Sequence, residues 1–446
     1  KRHPNFSVFA TQNPHHQGGG RKGLPSSFVN RFTVVYADVF RNEDLQLICK
    51  HNFPGMPDDT VNTIIAFVSR LEQEIVHRRQ FGSQGGPWEF NLRDILRWLS
   101  AATPSDFLNL IFRQRFRTTK DRQEVDRIFA QVFCTNVPFR HFFHNTSAAA
   151  YQVGLAYMER DPLIQRLQFP PIEPINRLPE IESIMICIQQ NLPCILVGPS
   201  GSGKTTIIEH IAATSGKSLV VFPLNADIDT MDLVGGFEQV DPQRAASTFL
   251  SEMKDFINTK ILSSLPAPVP AEALNLLELL SLPTQSTPSY FNTLAANLIS
   301  LETTTSLPAF GTLAGTCTEF ASRPMAVENA RFEWVDGVLV KALEQGSWLV
   351  LDNANLCSAS VLDRLNSLLE PNGFLSINEH CGPDGEPKIV KPHPEFRIFL
   401  MMDARFGELS RAMRNRAVEI FVEQLSEDAH EMVALGVKPE AGMRRL

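Results

Sequence analysis

Residues 194–206 read CILVGPSGSGKTT. An unbroken apolar run ends in a glycine-rich loop, and Lys204 and Thr205 open an apolar helical pattern. The loop fits G-x-x-x-x-G-K-[ST], in which small residues let successive backbone N–H groups form a nest for phosphate oxygens at the positive end of a helix. The sequence therefore predicts a nucleotide-binding strand, loop and helix, in preference to a merely flexible Gly/Ser turn.

Each residue of this loop has an expected role. Lys204 reaches the β- and γ-phosphates as a point charge, and the Thr205 hydroxyl is a Mg²⁺ ligand. We therefore expect ATP or ADP with Mg²⁺ as the cofactor. The predicted phosphate-binding residues are Gly198, Pro199, Ser200, Gly201, Ser202, Gly203, Lys204, Thr205 and Thr206.

The composition is that of an ordinary globular protein. Of 446 residues, 43% are hydrophobic and 20% are charged, which leaves room for two or three domains with real cores. No apolar run approaches the length of a membrane span, and the first residues do not read as a signal peptide. The seven cysteines are scattered with no C-x-x-C pair, which predicts buried thiols in a reducing compartment.

Charge is distributed unevenly along the chain. The net charge of −8 combines +6 over residues 1–170 (21 Lys/Arg, 15 Asp/Glu) with −14 over residues 171–446 (20 Lys/Arg, 34 Asp/Glu). The basic excess between Arg113 and Arg127 leaves two readings open, a contact with RNA or an acidic partner and a solvated helix face, of which the second is favoured.

The first part of the chain reads as two strands followed by helices. Residues 5–14 and 33–36 are β-branched or aromatic enough to predict strands. An apolar stripe from Val61 to Ile75 predicts a helix with Asp58 and Asp59 as N-cap candidates. Further helices are predicted at 90–98, 104–116, 121–133 and 147–160, before a Pro-rich linker at 166–177.

From Leu178 the pattern changes to apolar strands alternating with helices. Such strands predict a parallel sheet with both faces covered. A partly helical insertion with mobile loops is predicted at about 241–330. The predicted strands are 194–197, 218–223, 347–352, 396–402 and 418–422.

A phosphate loop needs an acidic partner on a neighbouring strand. Asp352 ends the apolar run Trp348 to Leu351 and is the predicted second Mg²⁺ ligand, in preference to a mere turn cap. The next residue, where a hydrolytic site usually places Glu to polarise the attacking water, is Asn353. An amide orients a water but cannot accept its proton, so we expect binding of ATP·Mg²⁺ with poor cleavage.

Several stretches resemble the midasin family, the dynein-related AAA+ proteins of large-subunit ribosome assembly. The resembling residues are 232–238 (DLVGGFE), 368–373 (LLEPNG), 407–416 (GELSRAMRNR) and 91–94 (NLRD). The resemblance implies an α/β AAA+ P-loop NTPase fold, with a parallel five-stranded sheet between helices, plus an α-helical lid domain.

The resemblance also implies a division into parts of two AAA+ modules. Residues 1–40 would end one large domain, and residues 41–165 would be its α-helical lid. After the linker, residues 178–425 would be the large domain of the next module, and residues 426–446 would begin the following lid or linker. The chain would then be a fragment of six tandem modules that form a ring.

Polar residues acquire roles from the same resemblance. Asn13 and Asp403 match the sensor-1 position, Arg93 matches sensor 2, and Arg31 and Arg416 match arginine fingers, with Arg414 and Arg411 as reserves. Taken singly, each of these arginines is better explained as a member of a surface ion pair. Asp403 stands where the family carries Asn, and Asn353 where it carries the catalytic Glu, and both departures imply weak turnover.

The function implied is ATP-driven release of assembly factors from pre-60S particles in the nucleus. The implied partners are adjacent AAA+ modules of the same chain, the particle and its assembly factors, with no membrane. A dynein-like motor ring, a chelatase-type single ring and a purely structural nucleotide-bound scaffold remain as alternatives.

Overall fold

The computed structural model describes most of the chain. Within its described residues, no helix is both long and apolar enough to cross a membrane. The described ranges are 3–12, 25–100, 107–138, 142–147, 149–160, 175–239, 242–264, 269–281, 287–305, 308–322, 332–381 and 386–424.

The first part of the chain is mainly helical. Its core is aromatic: the Phe67 ring lies 5.1 Å from Trp98 and 5.4 Å from Phe112. Edge-to-face pairs of this kind add about 0.5–1.5 kcal/mol each beyond area burial. The helices are α1 (Ser26–Val29), α2 (Asn42–Asn52), α3 (Asp58–Glu72, continued by a π-helical turn at Gln73–His77), α4 (Leu92–Leu99) and α5 (Thr119–Phe133), with another π-helical turn at Asn109–Arg113.

The helical stripe predicted around α3 is confirmed, because Val61, Ile64, Ile65, Val68, Leu71 and Ile75 are all buried. Asp58 and Asp59 are the first residues of the helix and not its cap, since Pro57 holds the N-cap position. Carboxylates in the first turn still favour the positive end of the helix.

Three predicted elements of this part are wrong. The expected helix at 147–160 is a sheet of three antiparallel strands, β1 (His144–Thr146), β2 (Ala150–Val153) and β3 (Ala156–Glu159). Buried and exposed residues alternate here with period two, and Gly154 turns the chain at φ +54°. The strands expected at 5–14 and 33–36 form no ladder among the described residues, because strand propensity without a pairing partner does not make a sheet.

The second part is built on a parallel sheet, and all five predicted strands are confirmed. These strands are β4 (Cys194–Val197), β5 (Leu219–Pro223), β8 (Trp348–Asp352), β11 (Arg397–Met402) and β12 (Val418–Phe421). Their order across the sheet is β12, β4, β11, β8, β5, with every neighbouring pair parallel.

Both faces of the sheet are covered, as continuous apolar strands require. Alternate residues of β4 enter different cores: Cys194 and Leu196 pack with the first part of the chain, whereas Ile195 and Val197 pack on the opposite face. The helical first part and one face of the sheet therefore share one hydrophobic core. The helices here are α6 (Leu178–Gln189), α7 (Lys204–Ser215), α8 (Thr230–Val234), α13 (Val338–Gln345), α14 (Ala359–Leu362) and α15 (Arg411–Arg414).

The insertion is helical over most of its described residues, as its composition predicted. An antiparallel pair, β6 (Gly235–Gln239) and β7 (Phe332–Asp336), forms its base. It carries α9 (Pro242–Ser264), α10 (Ala271–Ser281), α11 (Pro288–Thr305) and α12 (Pro308–Ser322), which bury a separate apolar core. A second hairpin, β9 (Leu375–Cys381) with β10 (Pro387–Val390), contacts this base, because the His380 ring stacks on Trp334 at 4.8 Å.

Candidate functional site

The phosphate loop joins β4 to α7, and its glycines are required by geometry. A Cβ on Gly198 would lie 2.4 Å from the backbone oxygen of Val422, so only glycine fits between the loop and the end of β12. Gly201 and Gly203 have φ of +81° and +84°, and the space where their side chains would stand is open. The loop therefore has the left-handed turns of a phosphate nest, with open space beside two of its glycines.

Lys204 is buried at the start of α7. Its Nζ donates to the loop's own carbonyls, Gly198 O at 2.8 Å and Pro199 O at 2.9 Å. Burial lowers the pKa of Lys204 below its usual value, while the nearby carboxylates of Asp403 and Asp352 oppose that shift. The amine thus lies inside the loop, among acceptors that a phosphate oxygen can replace.

The predicted metal ligands lie beside this amine. Thr205 is half-buried, and its Oγ1 donates to the Met401 sulfur at 3.5 Å. Asp352 is half-buried at the end of β8, and its Oδ1 accepts from the Asn353 amide at 2.9 Å. Thr206, also predicted here, is exposed on α7.

The position of Asp352 corrects one expectation. Its strand does not neighbour β4, because β11 lies between β4 and β8. The carboxyl ends of all three strands still meet at one edge of the sheet, since the strands are parallel. The intervening strand brings Asp403 between Lys204 and Asp352, which gives the site a third polar group.

Asn353 lies just beyond Asp352, with an exposed side chain. Its backbone is left-handed, with φ 55° and ψ 41°, a conformation that Asn tolerates better than most residues. The position therefore places an amide where water has access, with no proton acceptor on that side chain.

Asp403 directly follows β11, and its carboxylate is hydrogen-bonded to the phosphate loop. Its Oδ2 accepts from the Ser200 amide at 3.0 Å, and its two oxygens accept from the Arg405 guanidinium at 2.5–3.0 Å. The side-chain hydrogen bond from Arg405 lowers the pKa of Asp403 to about 2. The Asp403 carboxylate, which stands where the family carries Asn, is therefore already paired with a cation.

Arg177 supports the loop from outside, and sequence reasoning missed it. It is 5% exposed, and its Nη2 donates to Ser202 O at 3.1 Å and to Glu423 O. By binding a loop carbonyl, the guanidinium helps fix the direction of the loop's peptide groups. Arg177 ends the predicted linker at 166–177, and no sequence signal marks it, because its partners lie 25 and 246 residues away.

The remaining predicted arginines separate into distinct groups. Arg93 Nη2 and Arg416 Nε both lie 2.8 Å from the same oxygen, Glu370 Oε1. Arg93 follows the N-cap Asn91 of α4, and Arg97, one turn later, donates to the backbone oxygen of Arg416. Sensor-2 and finger candidates from the two parts of the chain are thus brought together.

The two reserve arginines face the first part of the chain instead. Arg414 is buried, donates to the backbone oxygen of Gly85 at 2.7 Å and pairs with Glu419 of β12. Arg411 pairs with Glu89 at 3.1 Å. Arg31 is exposed, and its side chain makes no ion pair with another described residue. Asn13 lies outside the described residues. The finger and sensor roles of these residues stay predictions.

The residues present fit a magnesium nucleotide. There is open space beside Gly201 and Gly203, and the buried Ser202 hydroxyl has no hydrogen-bond partner among the described residues. The Lys204 amine donates to loop carbonyls whose place a phosphate oxygen can take. Thr205 and Asp352 supply the oxygen ligands that Mg²⁺ prefers. Bound Mg²⁺ would neutralise phosphate charge there.

Models of known families match both parts of the chain. The model for the midasin AAA lid domain matches residues 44–136. The model for the AAA domain of the dynein-related subfamily matches residues 193–265 and 316–417, so its match breaks inside the helical insertion.

Curated proteins match along the chain as well. Midasin from Dictyostelium discoideum is 34% identical over 541 residues, an alignment that covers 100% of this chain and 9% of that protein. Midasin from Giardia intestinalis is 30% identical, covering 93% of this chain and 10% of that protein. Protein CbbQ from Hydrogenophilus thermoluteolus is 38% identical over 58 residues, which are 13% of this chain and 22% of that protein. The chain therefore spans about a tenth of the length of the midasins that it matches.

Proposed function

The chain belongs to the midasin family of dynein-related AAA+ proteins, and on that premise we propose that it forms part of an ATPase ring that remodels pre-60S ribosomal particles. The ring would release assembly factors from these particles in the nucleus, using ATP. Its partners would be the adjacent AAA+ modules of its own chain, the particle and the released factors. Two midasins match nearly the whole chain, which favours this function over a dynein-like motor ring.

The observation that carries the nucleotide part of the proposal is the meeting of Lys204, Thr205 and Asp352 at one edge of the parallel sheet. We propose that this site binds ATP·Mg²⁺ and cleaves it weakly. Cleavage needs a base that accepts the proton of the attacking water, and Asn353 supplies only an amide. The same residue favours the second candidate, a nucleotide that serves as a structural part of the ring.

The proposal that Arg416 is an arginine finger rests on its ion pair with Glu370. Arg93 and Arg416 come from the two parts of the chain and share this carboxylate, so they form one cationic cluster. In an AAA+ ring, the lid arginine of one module and the finger of the next act on the same nucleotide. We infer that Arg416 serves the site of the module to which residues 1–165 belong. A terminal phosphate would then compete with Glu370 for both guanidinium groups.

The experiment that tests the ring function uses the protein in nuclear extract, separated on a sucrose gradient. We expect co-migration with pre-60S particles, loss of assembly factors when ATP is added, and no loss with a non-hydrolysable analogue. Migration apart from ribosomal precursors, or factor release that ignores ATP, would contradict the proposal. A separate nucleotide titration of Lys204→Ala tests the site, and binding unchanged from wild type would refute the role of the loop.

A further inference from the structure

We propose that Arg405 is a nucleotide-binding residue of this site, whose guanidinium contacts the terminal phosphate of a triphosphate held by the Lys204 loop of the same chain. The inference rests on the proposed nucleotide binding and adds a residue that the sequence did not indicate. It explains why a carboxylate stands at position 403, where it would otherwise repel phosphate.

The first argument is proximity to the loop. One carboxylate, that of Asp403, accepts from the Ser200 amide at 3.0 Å and from Arg405 Nε at 3.0 Å. The guanidinium is therefore separated from the phosphate loop by a single carboxylate. Burial is the main cause of the lowered pKa of Lys204, and the Arg405 charge adds to that lowering. A cation felt by the residue that binds phosphate is placed to attract the phosphate itself.

The second argument is that Arg405 has a fixed backbone and an exposed side chain. The Arg405 amide donates to Asp403 Oδ1 at 3.0 Å, and Asn355 Nδ2 binds the backbone oxygens of Asp403 and Gly407 at 2.8 and 2.9 Å. These bonds hold the turn against the end of β8. The Arg405 side chain is nevertheless 63% exposed, so its far end can exchange one partner for another without moving the turn.

The third argument is the chemistry of the two partners. Guanidinium binds phosphate oxygens in the same forked geometry in which it binds a carboxylate, and the terminal phosphate of ATP carries more charge than Asp403. Asp403 would hold the fork ready beside the loop when no triphosphate is present. ADP lacks the terminal phosphate, so the contact discriminates between the two nucleotides.

A simpler role for Arg405 is neutralisation of Asp403 alone, and a double variant separates the two roles. Arg405→Gln removes the guanidinium group. Asp403→Asn removes the negative charge of the carboxylate while keeping an acceptor for the Ser200 backbone amide. If Arg405 only neutralises Asp403, then Asp403→Asn makes it dispensable. If Arg405 contacts phosphate, Arg405→Gln weakens triphosphate binding both with Asp403 present and in the Asp403→Asn variant.

The experiment is calorimetric titration of the whole protein with the Mg²⁺ complex of a non-hydrolysable ATP analogue. A separate titration uses the Mg²⁺ complex of ADP. We expect Arg405→Gln to weaken the triphosphate about 10- to 100-fold and ADP less than about threefold, as for loss of one charge-assisted contact. The same selective loss should appear when Arg405→Gln is combined with Asp403→Asn. Arg364→Gln, which removes another partly exposed arginine paired with a carboxylate, Glu379, is the matched control.

Three results would overturn the inference: equal loss for both nucleotides, no loss, or restoration of triphosphate binding by Asp403→Asn. These results differ from a failure of nucleotide binding itself. In that case wild type would bind neither nucleotide, or Lys204→Ala would bind both as wild type does.

Discussion

Arg414 gives the sharpest test of how the two parts of the chain are joined. The structure places this residue in the junction, although its sequence context made it a reserve arginine finger. It is 6% exposed, its Nη2 lies 2.8 Å from Glu419 Oε2 and 2.7 Å from Gly85 O, and its guanidinium lies 5.3 Å from the centroid of the Trp88 ring. Arg414→Met keeps most of the side-chain volume and removes every one of these polar contacts.

The magnitude follows from the burial of both charges. Breaking a buried ion pair by removing one partner costs about 3–5 kcal/mol, because the other charge remains in a dry site. Loss of the cation–π contact with Trp88 adds about 0.5–2 kcal/mol. Arg117, 3.8 Å from Glu419, offsets part of the loss. We expect the junction to be destabilised by about 3–5 kcal/mol.

Arg416→Met is the matched control, two residues away. Its ion pair with Glu370 is partly exposed, with side-chain exposures of 24% and 33%. Ion pairs of this kind contribute about 0–1 kcal/mol. The two substitutions are the same in chemistry, so a difference between them reports burial and packing at the junction.

The assay is hydrogen exchange of the amides around Gly85 and Glu419, with denaturant unfolding followed by tryptophan fluorescence. We expect the amides around both Gly85 and Glu419 to exchange faster in Arg414→Met than in wild type. In Arg416→Met, their exchange rates should be close to those of wild type. Replacing Arg414 and Glu419 together should restore most of the stability, because no unpaired charge is left. Equal effects of the two single substitutions, or a loss below about 1 kcal/mol for Arg414→Met, would refute the reasoning.

Three further predictions concern the loop, the carboxylate beside it and the insertion. Gly198→Ala should abolish nucleotide binding in a titration, since its Cβ would lie 2.4 Å from the backbone oxygen of Val422, whereas Gly201→Ala has open space and should cost only about 1–2 kcal/mol for its positive φ; equal effects would contradict this. The lowered pKa of Asp403 contributes stability that is fully present above the unfolded pKa of about 3.9 and is lost as pH falls toward 2. The thermal unfolding temperatures of Asp403→Asn and wild type should therefore converge as pH falls through this window. A constant difference between them down to pH 2 would be inconsistent with this prediction. Replacement of residues 240–331 by a short turn that joins β6 to β7 should leave nucleotide affinity within about twofold, because the insertion has its own core; loss of binding in a folded variant would show that the helices belong to the site.

The sheet and the phosphate loop could be predicted because their signals are local. Four or five consecutive apolar residues mark β4, β5, β8 and β11, whereas Glu419 interrupts the run in β12. The spacing from Gly198 to Thr205 carries the loop chemistry within eight residues. Asp352 was likewise predicted from the strand that it ends. Its separation from β4 by β11 was not, since strand order is set by packing and not by the order of the sequence.

The errors and omissions have physical causes. A helix was predicted at 147–160, where β2 and β3 lie, because strands of four residues are too short to show period two clearly. Arg177 and Arg405 could not be assigned from sequence. The loop contacts of Arg177 and of Asp403, the partner of Arg405, join residues 25 and 203 positions apart, and only the folded chain brings them together.

The central claim is that the Lys204 loop holds ATP·Mg²⁺ and that the site lacks the group that would let water cleave it. The most direct measurement incubates the protein with radiolabelled ATP and Mg²⁺, recovers the bound nucleotide after hours and identifies it by chromatography, with Lys204→Ala as the background. We predict intact ATP on the wild-type protein and none on the variant. Bound ADP with phosphate release that disappears in Lys204→Ala, or no bound nucleotide on either protein, would contradict the account.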